Sequence, residues 1–234
     1  MATGLEVADL SAWHGQAKAL WGVSIEVGRG EIVGILGRNG AGKTTLLRSI
    51  AGLQAHVAGS VRLDGRELAG LRTDEIARCG IAMLRESGKL PASLTVLQNL
   101  SLGQRLARKK GKGARALGDV WAWFPLLEPL QDRKAGLLSG GQRQALALAV
   151  AFIAEPEVML LDEPSAGLSP PVAQELFRTI RQLADAGATV LMAEQHPAWL
   201  IGVADRGYLL EVGRITGAGG IEELVKNARV GDMA

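Results

Sequence analysis

An α/β fold on a buried parallel sheet, with an N-terminal antiparallel β part and an inserted helical segment, is what this sequence predicts. Three observations predict it. Four short continuous apolar runs, Ile32–Leu36, Ile81–Leu84, Val158–Leu161 and Thr189–Met192, have the texture of strands covered on both faces. A glycine-rich loop follows the first run and opens a helical stretch. From residue 87 to 137 the texture shifts to helix-like spacing with Leu-rich patches and a basic segment.

In chain order, Leu5–Leu10 and Val23–Val27 read as strands, with Gly28, Gly30 and Glu31 marking a turn. The helical stretch after the glycine-rich loop runs from Lys43 to about Ala51. Ser60–Leu63 followed by Asp64-Gly65 suggests a hairpin, because Asp-Gly supplies the left-handed conformations a tight turn needs. Gln174–Ala184 reads as a helix between the last two apolar runs and so completes a β-α-β unit. Tyr208–Glu211 and Arg214–Thr216 flank Val212-Gly213 as a closing hairpin. No repeat and no low-complexity linker is visible, so the expectation is one domain over 1–234 with a helical subdomain, 87–137, inside it.

Composition narrows the class. Hydrophobic residues are 47% and charged residues 21%, the balance of an ordinary globular protein. Net charge is +2, from 26 basic and 24 acidic residues, so nothing global calls for nucleic acid, and none is expected as a partner. Cys79 is the single cysteine, which excludes an internal disulfide. The apolar stretch Ala145–Ala154 is about half the span of about 20 residues that a bilayer requires, and the N-terminus lacks the pattern of a signal peptide. If the protein acts at a membrane, another chain is expected to do the spanning.

The glycine-rich loop carries the first chemistry. Gly37-Arg38-Asn39-Gly40-Ala41-Gly42-Lys43-Thr44 fits G-x-x-x-x-G-K-[ST]. Glycines let the backbone curl until successive N–H groups converge on phosphate oxygens, and the following helix presents its positive end to the same anion. Lys43 would neutralise the β and γ phosphates, the Thr44 hydroxyl would ligate Mg²⁺, and Thr45 is placed for the α phosphate. The context is met: an apolar strand precedes the loop and a helical pattern follows it.

Asp162 and Glu163 end the run Val158–Leu161. Ligands of open parallel sheets sit at the carboxyl ends of the strands. Asp162 therefore falls where Mg²⁺ would be held, and Glu163, one residue on, can polarise a water attacking the γ phosphate. An Asp-Glu pair alone is more often a solvated turn, and its meaning comes from the phosphate loop.

Leu138-Ser139-Gly140-Gly141-Gln142 opens a helix from about Gln142 to Ala154, a second helix start with free N–H donors. One nucleotide rarely needs two such starts from one subunit. Here the sequence resembles the ABC ATPase family, over essentially its whole length. LSGGQ matches that family's signature, and it lies between the phosphate loop and the Asp-Glu strand as in the family. The resemblance implies a P-loop NTPase fold with ATP and Mg²⁺ as ligands. It also implies a head-to-tail dimer in which Ser139, Gly141 and Gln142 donate to the partner subunit's ATP.

Further roles rest on the same resemblance. Glu86 stands where the family has its Q-loop glutamine, a departure that still allows a part in Mg²⁺ and water binding. Ser169 stands where most relatives have Asp. Counting back from Ala204-Asp205-Arg206, the γ-phosphate switch falls on Gln195, with His196 the neighbouring alternative. The aromatic that stacks on adenine is His14 or Trp13, which precede Gly15. The basic stretch 105–115 reads as a solvated helix end or as a contact to anionic lipid headgroups. Trp121, Trp123 and Phe124 read as subdomain core, or as part of a groove for a membrane subunit.

The patterns Asp162–Leu168 (DEPSAGL), Thr95–Leu100 and Glu194-Gln195 are similar to the branched-chain amino-acid importer subgroup. That implies transmembrane permease subunits, a second ATPase subunit, an extracytoplasmic solute-binding protein, and a peripheral position on the cytoplasmic face of the inner membrane. The alternative is a soluble ABC ATPase of iron–sulfur cluster assembly or DNA repair. Such proteins often carry fused modules or long insertions, and the sequence has neither. A non-hydrolysing nucleotide binder would lack Lys43 or Glu163.

Overall fold

The structure is a computed structural model, and it describes residues 4–84, 90–109 and 115–230. In chain order the elements are β1 (Leu5–His14), β2 (Ala17–Val27), β3 (Ile32–Leu36), α1 (Lys43–Ile50), β4 (His56–Leu63), β5 (Arg66–Glu67), α2 (Thr73–Cys79) and β6 (Ile81–Leu84). There follow α3 (Val96–Lys109), α4 (Leu117–Trp123), α5 (Gly140–Ile153), β7 (Val158–Asp162), α6 (Pro170–Asp185), β8 (Thr189–Glu194), β9 (Arg206–Glu211), β10 (Arg214–Gly219) and α7 (Ile221–Val230). Short 3₁₀ turns span Pro125–Leu130, Ala135–Leu137 and Pro197–Trp199.

Among the described residues the strands make two sheets. A four-stranded sheet runs β2-β1-β4-β5 and is antiparallel. A six-stranded sheet runs β10-β9-β3-β8-β7-β6 and is parallel except for β9–β10 at its edge. The apolar runs of β3, β7 and β8 are continuous because both faces of this sheet are buried. Ile32, Leu36, Met159, Leu161, Val190 and Met192 face one core, together with α5 and α6. Val33, Ile35, Val158, Leu160, Leu191 and Ala193 face the other, together with α1 and the antiparallel sheet. Alternate residues of each strand thus point to opposite sides, as the period of two requires.

The helical stretch closes on itself before it meets the sheet. Backbone N–H groups of Val96 and Leu97 donate to Arg133 and Gln131, and those of Ala135 and Gly136 donate to Leu94 and Ala92. Helix α3 then lies close on α5: a Cβ at Gly103 would sit 2.5 Å from Ile153 Cγ2. Trp123 and Phe124 pack edge-on against Phe152 of α5, at 5.8 and 6.0 Å between ring centres, which gives them a core role. Much of the basic stretch, residues 110–114, lies outside the described residues, as does Glu86.

Several elements depart from the sequence reading. β1 and β2 are longer than expected and meet directly at Gly15-Gln16. α6 starts at Pro170 rather than Gln174, because proline fits a first helical turn where its missing N–H is not needed. α5 starts at Gly140 rather than Gln142.

Candidate functional site

Three neighbouring strands of the central sheet end side by side. Leu36 of β3 is in register with Glu194 of β8, and Ala193 of β8 with Asp162 of β7. The loops that leave these ends carry most of the residues singled out in the sequence.

The loop after β3 turns under tight constraint. A Cβ at Gly37 would come within 2.4 Å of Leu210 O, so only glycine lets the chain pass the β9–β10 hairpin. Gly42 has φ 109° and lies against Leu20 and Ala19 of β2. Two backbone bonds pin the loop, Ala41 N–H to Arg38 O at 3.1 Å and Gly213 N–H to Ala41 O at 2.9 Å. Arg38, Asn39 and Gly40 stand exposed at the apex.

Lys43 begins α1 and folds back over the loop with only 4% of its side chain exposed. Its Nζ donates to Gly37 O at 2.8 Å and to Arg38 O at 3.3 Å, and pairs with Glu163 Oε1 at 3.3 Å. The ammonium thus stands at the loop's mouth, held by groups that phosphate oxygens could replace. Thr44 Oγ donates to Asp162 Oδ1 at 3.0 Å. A hydroxyl and a carboxylate so close are the oxygen pair a hard dication takes, with phosphate and water completing its shell. Among the described residues no cluster of three or more His, Cys, Asp or Glu side chains could hold a metal unaided.

A cleft of about 570 Å³ joins these groups. Asn39, Gly40, Gly42, Lys43, Thr44 and Thr45 line one side and Glu163 faces them. His14 lines it too: its Nε2 lies 3.0 Å from Thr45 Oγ, and its Nδ1 lies 3.5 Å from Gln54 Nε2. Trp13 is not in that lining. Its carbonyl accepts from Gln54 Nε2, and Lys18 Nζ stands 5.0 Å from its ring centre. A second cleft, of about 470 Å³ around Asp205 and Glu222, contains none of the phosphate-loop residues.

Glu163 has φ 45°, a left-handed backbone that an L-residue adopts only under outside constraint. Gln195 and His196 are both exposed just past β8, and His196 opens the 3₁₀ turn Pro197–Trp199. Ser139 and Gln142 form a reciprocal cap on α5: Gln142 N–H donates to Ser139 Oγ at 3.2 Å, and Ser139 N–H donates to Gln142 Oε1 at 2.9 Å. The Ser139 hydroxyl proton is left over to donate outward. Gly141 packs closely at that start: a Cβ there would be 2.3 Å from Val172 Cγ1, so the Val172 side chain would have to move. These signature residues do not line the cleft of their own chain.

The sequence reading missed Lys18, Ala19, Trp21 and Val212, which complete the cleft wall. Trp21 is 42% exposed, and its N–H donates to Gly213 O at 2.8 Å, so the loop that receives Gly213 also fixes Trp21. The reading used Glu194 only as part of a subgroup pattern and gave it no role, although an acid closing the run TVLMA has the same signal as Asp162 closing VMLL.

Comparison with known proteins agrees with this geometry. Residues 20–166 match the ABC transporter family. The chain is 40% identical, over 97% of each protein, to the high-affinity branched-chain amino acid transport ATP-binding protein BraG of Pseudomonas aeruginosa. It is 36% identical to the probable branched-chain amino acid transport ATP-binding protein LivF of Archaeoglobus fulgidus, over 96% of this chain and 95% of that one. Among solved structures, an ABC transporter ATP-binding cassette in its ADP conformation superposes with a TM-score of 0.83 at 28% identity, covering 97% of this chain and 94% of the other.

Proposed function

The chain belongs to the ABC transporter family as an ATP-hydrolysing cassette, and from that premise we propose that it drives uptake of branched-chain amino acids or related small solutes. The observation that carries the hydrolytic reading is the meeting of Lys43, Thr44, Asp162 and Glu163 at the carboxyl ends of the central strands. Similarity to two branched-chain amino-acid transport proteins supports the solute class.

In this reading ATP lays its phosphates along residues 37–45, where Lys43 trades its carbonyl partners for β and γ oxygens. Thr44 and Asp162 would hold Mg²⁺, with Glu86 a further candidate, and the ion would supply charge neutralisation on the phosphates. Glu163 takes a proton from a water as the water oxygen bonds to the γ phosphorus. The bond from that phosphorus to the β-phosphate bridging oxygen breaks, and ADP and phosphate result. Gln195 contacts the γ phosphate, and His14 lies on the base side of the cleft. Ser139, exposed, and Gly141 and Gln142, half-buried, at the start of α5 serve the ATP of a second subunit.

We read 1–234 as one cassette domain with 87–137 as its helical subdomain. It works on the cytoplasmic face of the membrane with permease subunits and an extracytoplasmic binding protein. No helix among the described residues is long and apolar enough to cross a bilayer, which leaves the spanning to those partners. Affinity purification from detergent-solubilised membranes of the native cell tests this. Stoichiometric multi-spanning partners support the transporter reading, and recovery with soluble proteins alone refutes it.

A further inference from the structure

Glu194 closes β8 immediately before Gln195 and is 1% exposed. Both of its oxygens grip one residue of another loop. Ser165 N–H donates to Oε1 at 3.1 Å, and Ser165 Oγ–H donates to Oε2 at 3.0 Å. Burial foremost, and the negative charge of Glu163 nearby, push this carboxyl above the usual carboxylate range. A buried carboxylate beside another acid is an unfavourable thing to keep in a core unless it does something.

What it holds is the turn that carries Glu163. Ala166 N–H donates to Glu163 O at 3.1 Å and Leu168 N–H to Ser165 O at 3.0 Å, which makes residues 163–168 a compact turn. That turn meets β8 at two points: Glu163 N–H donates to Ala193 O at 3.0 Å, and Ser165 is held by Glu194. The first of these points is Glu163 itself, at its left-handed φ of 45°, and the second lies two residues on at Ser165. Together they supply the outside constraint that this backbone needs.

We propose that Glu194 is a positioning residue for ATP hydrolysis: through Ser165 it locks the 163–168 turn so that the Glu163 carboxylate is presented to the attacking water. The inference rests on the assignment of Glu163 as the proton acceptor. The phosphate loop has its own backbone bonds at Ala41, and its cation comes from α1, so loss of the clamp leaves ATP binding intact. The effect belongs to kcat.

The test compares Glu194→Ala, Glu194→Asp, Glu194→Gln and Ser165→Ala with Glu163→Gln as control, measuring kcat, KM for MgATP and folding by circular dichroism. Glu194→Ala and Glu194→Asp, which cannot span to Ser165, are expected to lower kcat about 10- to 100-fold with KM almost unchanged, the effect of a misplaced catalytic group. Glu194→Gln keeps the length and an oxygen acceptor for Ser165 N–H, and its amide can donate to Ser165 Oγ. It should restore kcat to within about threefold, while Ser165→Ala, which loses one neutral-to-charged bond, costs about fivefold or more. Wild-type kcat in Glu194→Ala overturns the proposal. So does an active Glu194→Asp beside an inactive Glu194→Gln, which would make charge rather than reach the requirement. If Glu194→Ala does not fold, Ser165→Ala decides, and unchanged kcat there overturns the clamp. Wild-type turnover in Glu163→Gln defeats the underlying assignment, whereas a dead Glu163→Gln beside an active Glu194→Ala defeats the clamp alone.

Discussion

Replacing Glu163 by Gln should separate ATP binding from ATP turnover, in opposite directions. Before nucleotide arrives, the Glu163 carboxylate pairs with Lys43 Nζ at 3.3 Å. At an effective dielectric of about 20, unit charges at 3.3 Å attract by about 5 kcal/mol. Desolvation of Lys43, 4% exposed, and Glu163, 20% exposed, offsets most of that and leaves a net pairing on the order of 1 kcal/mol. The γ phosphate must compete with that pairing and then sit beside the same negative charge. Glu163→Gln removes both costs, so MgATP should bind about fivefold more tightly, the equivalent of about 1 kcal/mol. Turnover should fall by about 10² to 10⁴, the usual contribution of a general base. Titration calorimetry with MgATP reads the first effect and phosphate release the second. Turnover within threefold of the native enzyme would remove Glu163 from the mechanism. Weaker ATP binding would show that the ion pair does not compete with phosphate. Sizing chromatography with ATP should also show the variant accumulating as a dimer.

Four other outcomes follow from the same geometry. Lys43→Ala loses charge-assisted bonds to two phosphates, each worth about 1.5–3 kcal/mol, so MgATP affinity measured with a fluorescent analogue should fall at least about a hundredfold; normal affinity would refute the phosphate-loop assignment. Gln195→Ala should slow turnover more than His196→Ala, and the reverse order would mean the switch lies one residue later. His14→Ala should weaken ATP about tenfold, as loss of base stacking does, while leaving inorganic triphosphate affinity unchanged; Trp13→Ala should do neither, and equal loss for both ligands in His14→Ala would refute a base-side role. The native Glu194 carboxyl keeps its proton to higher pH than the unfolded one, so the folded state binds more protons across that window and stability falls as pH rises through it. Thermal melts of Glu194→Gln should therefore gain on the native protein at neutral pH, and the gain should vanish in acid below the ordinary carboxylate range.

The sequence made the phosphate chemistry legible because that chemistry is local. Residues 37–45 form one turn and one helix start, and a backbone cradle needs glycines and a lysine at fixed spacing whatever surrounds it. The central strands were equally plain, since burial on both faces leaves mainly apolar residues in β3, β7 and β8 ahead of the acids that close β7 and β8. The antiparallel part was harder. The β1–β2 ladder shifts register between Val7 and Leu10 and again near Ala12, with Asp9 at φ 49° and Gly22 at φ 64°. Each bulge resets the period of two, so alternation fades where the strands continue to His14 and from Ala17. α2 is two turns long and gave no periodic signal. The start of α6 was readable from Pro170-Pro171 and was missed.

The contrast between the two halves of the cleft has one physical source. The hydrolytic half depends on strand register: Leu36 lies opposite Glu194 and Asp162 opposite Ala193, and a slip of one residue would turn every side chain to the other face. A sheet buried on both sides forbids that slip, so Lys43, Asp162, Glu163 and Glu194 meet with geometry set by the core. The base half depends instead on an edge. Trp21 donates to Gly213 O and Gly213 to Ala41 O, so the wall beside the phosphate loop hangs from a hairpin tip at Val212, which is 83% exposed. Such an edge tolerates different side chains, because its anchor is backbone alone. His14 and Trp21 stand on that wall, beside a phosphate constellation whose geometry the core fixes. Substitutions at residues 14, 18 and 21 should therefore shift nucleobase preference with little effect on kcat, whereas any that disturb the β7–β8 register should abolish turnover.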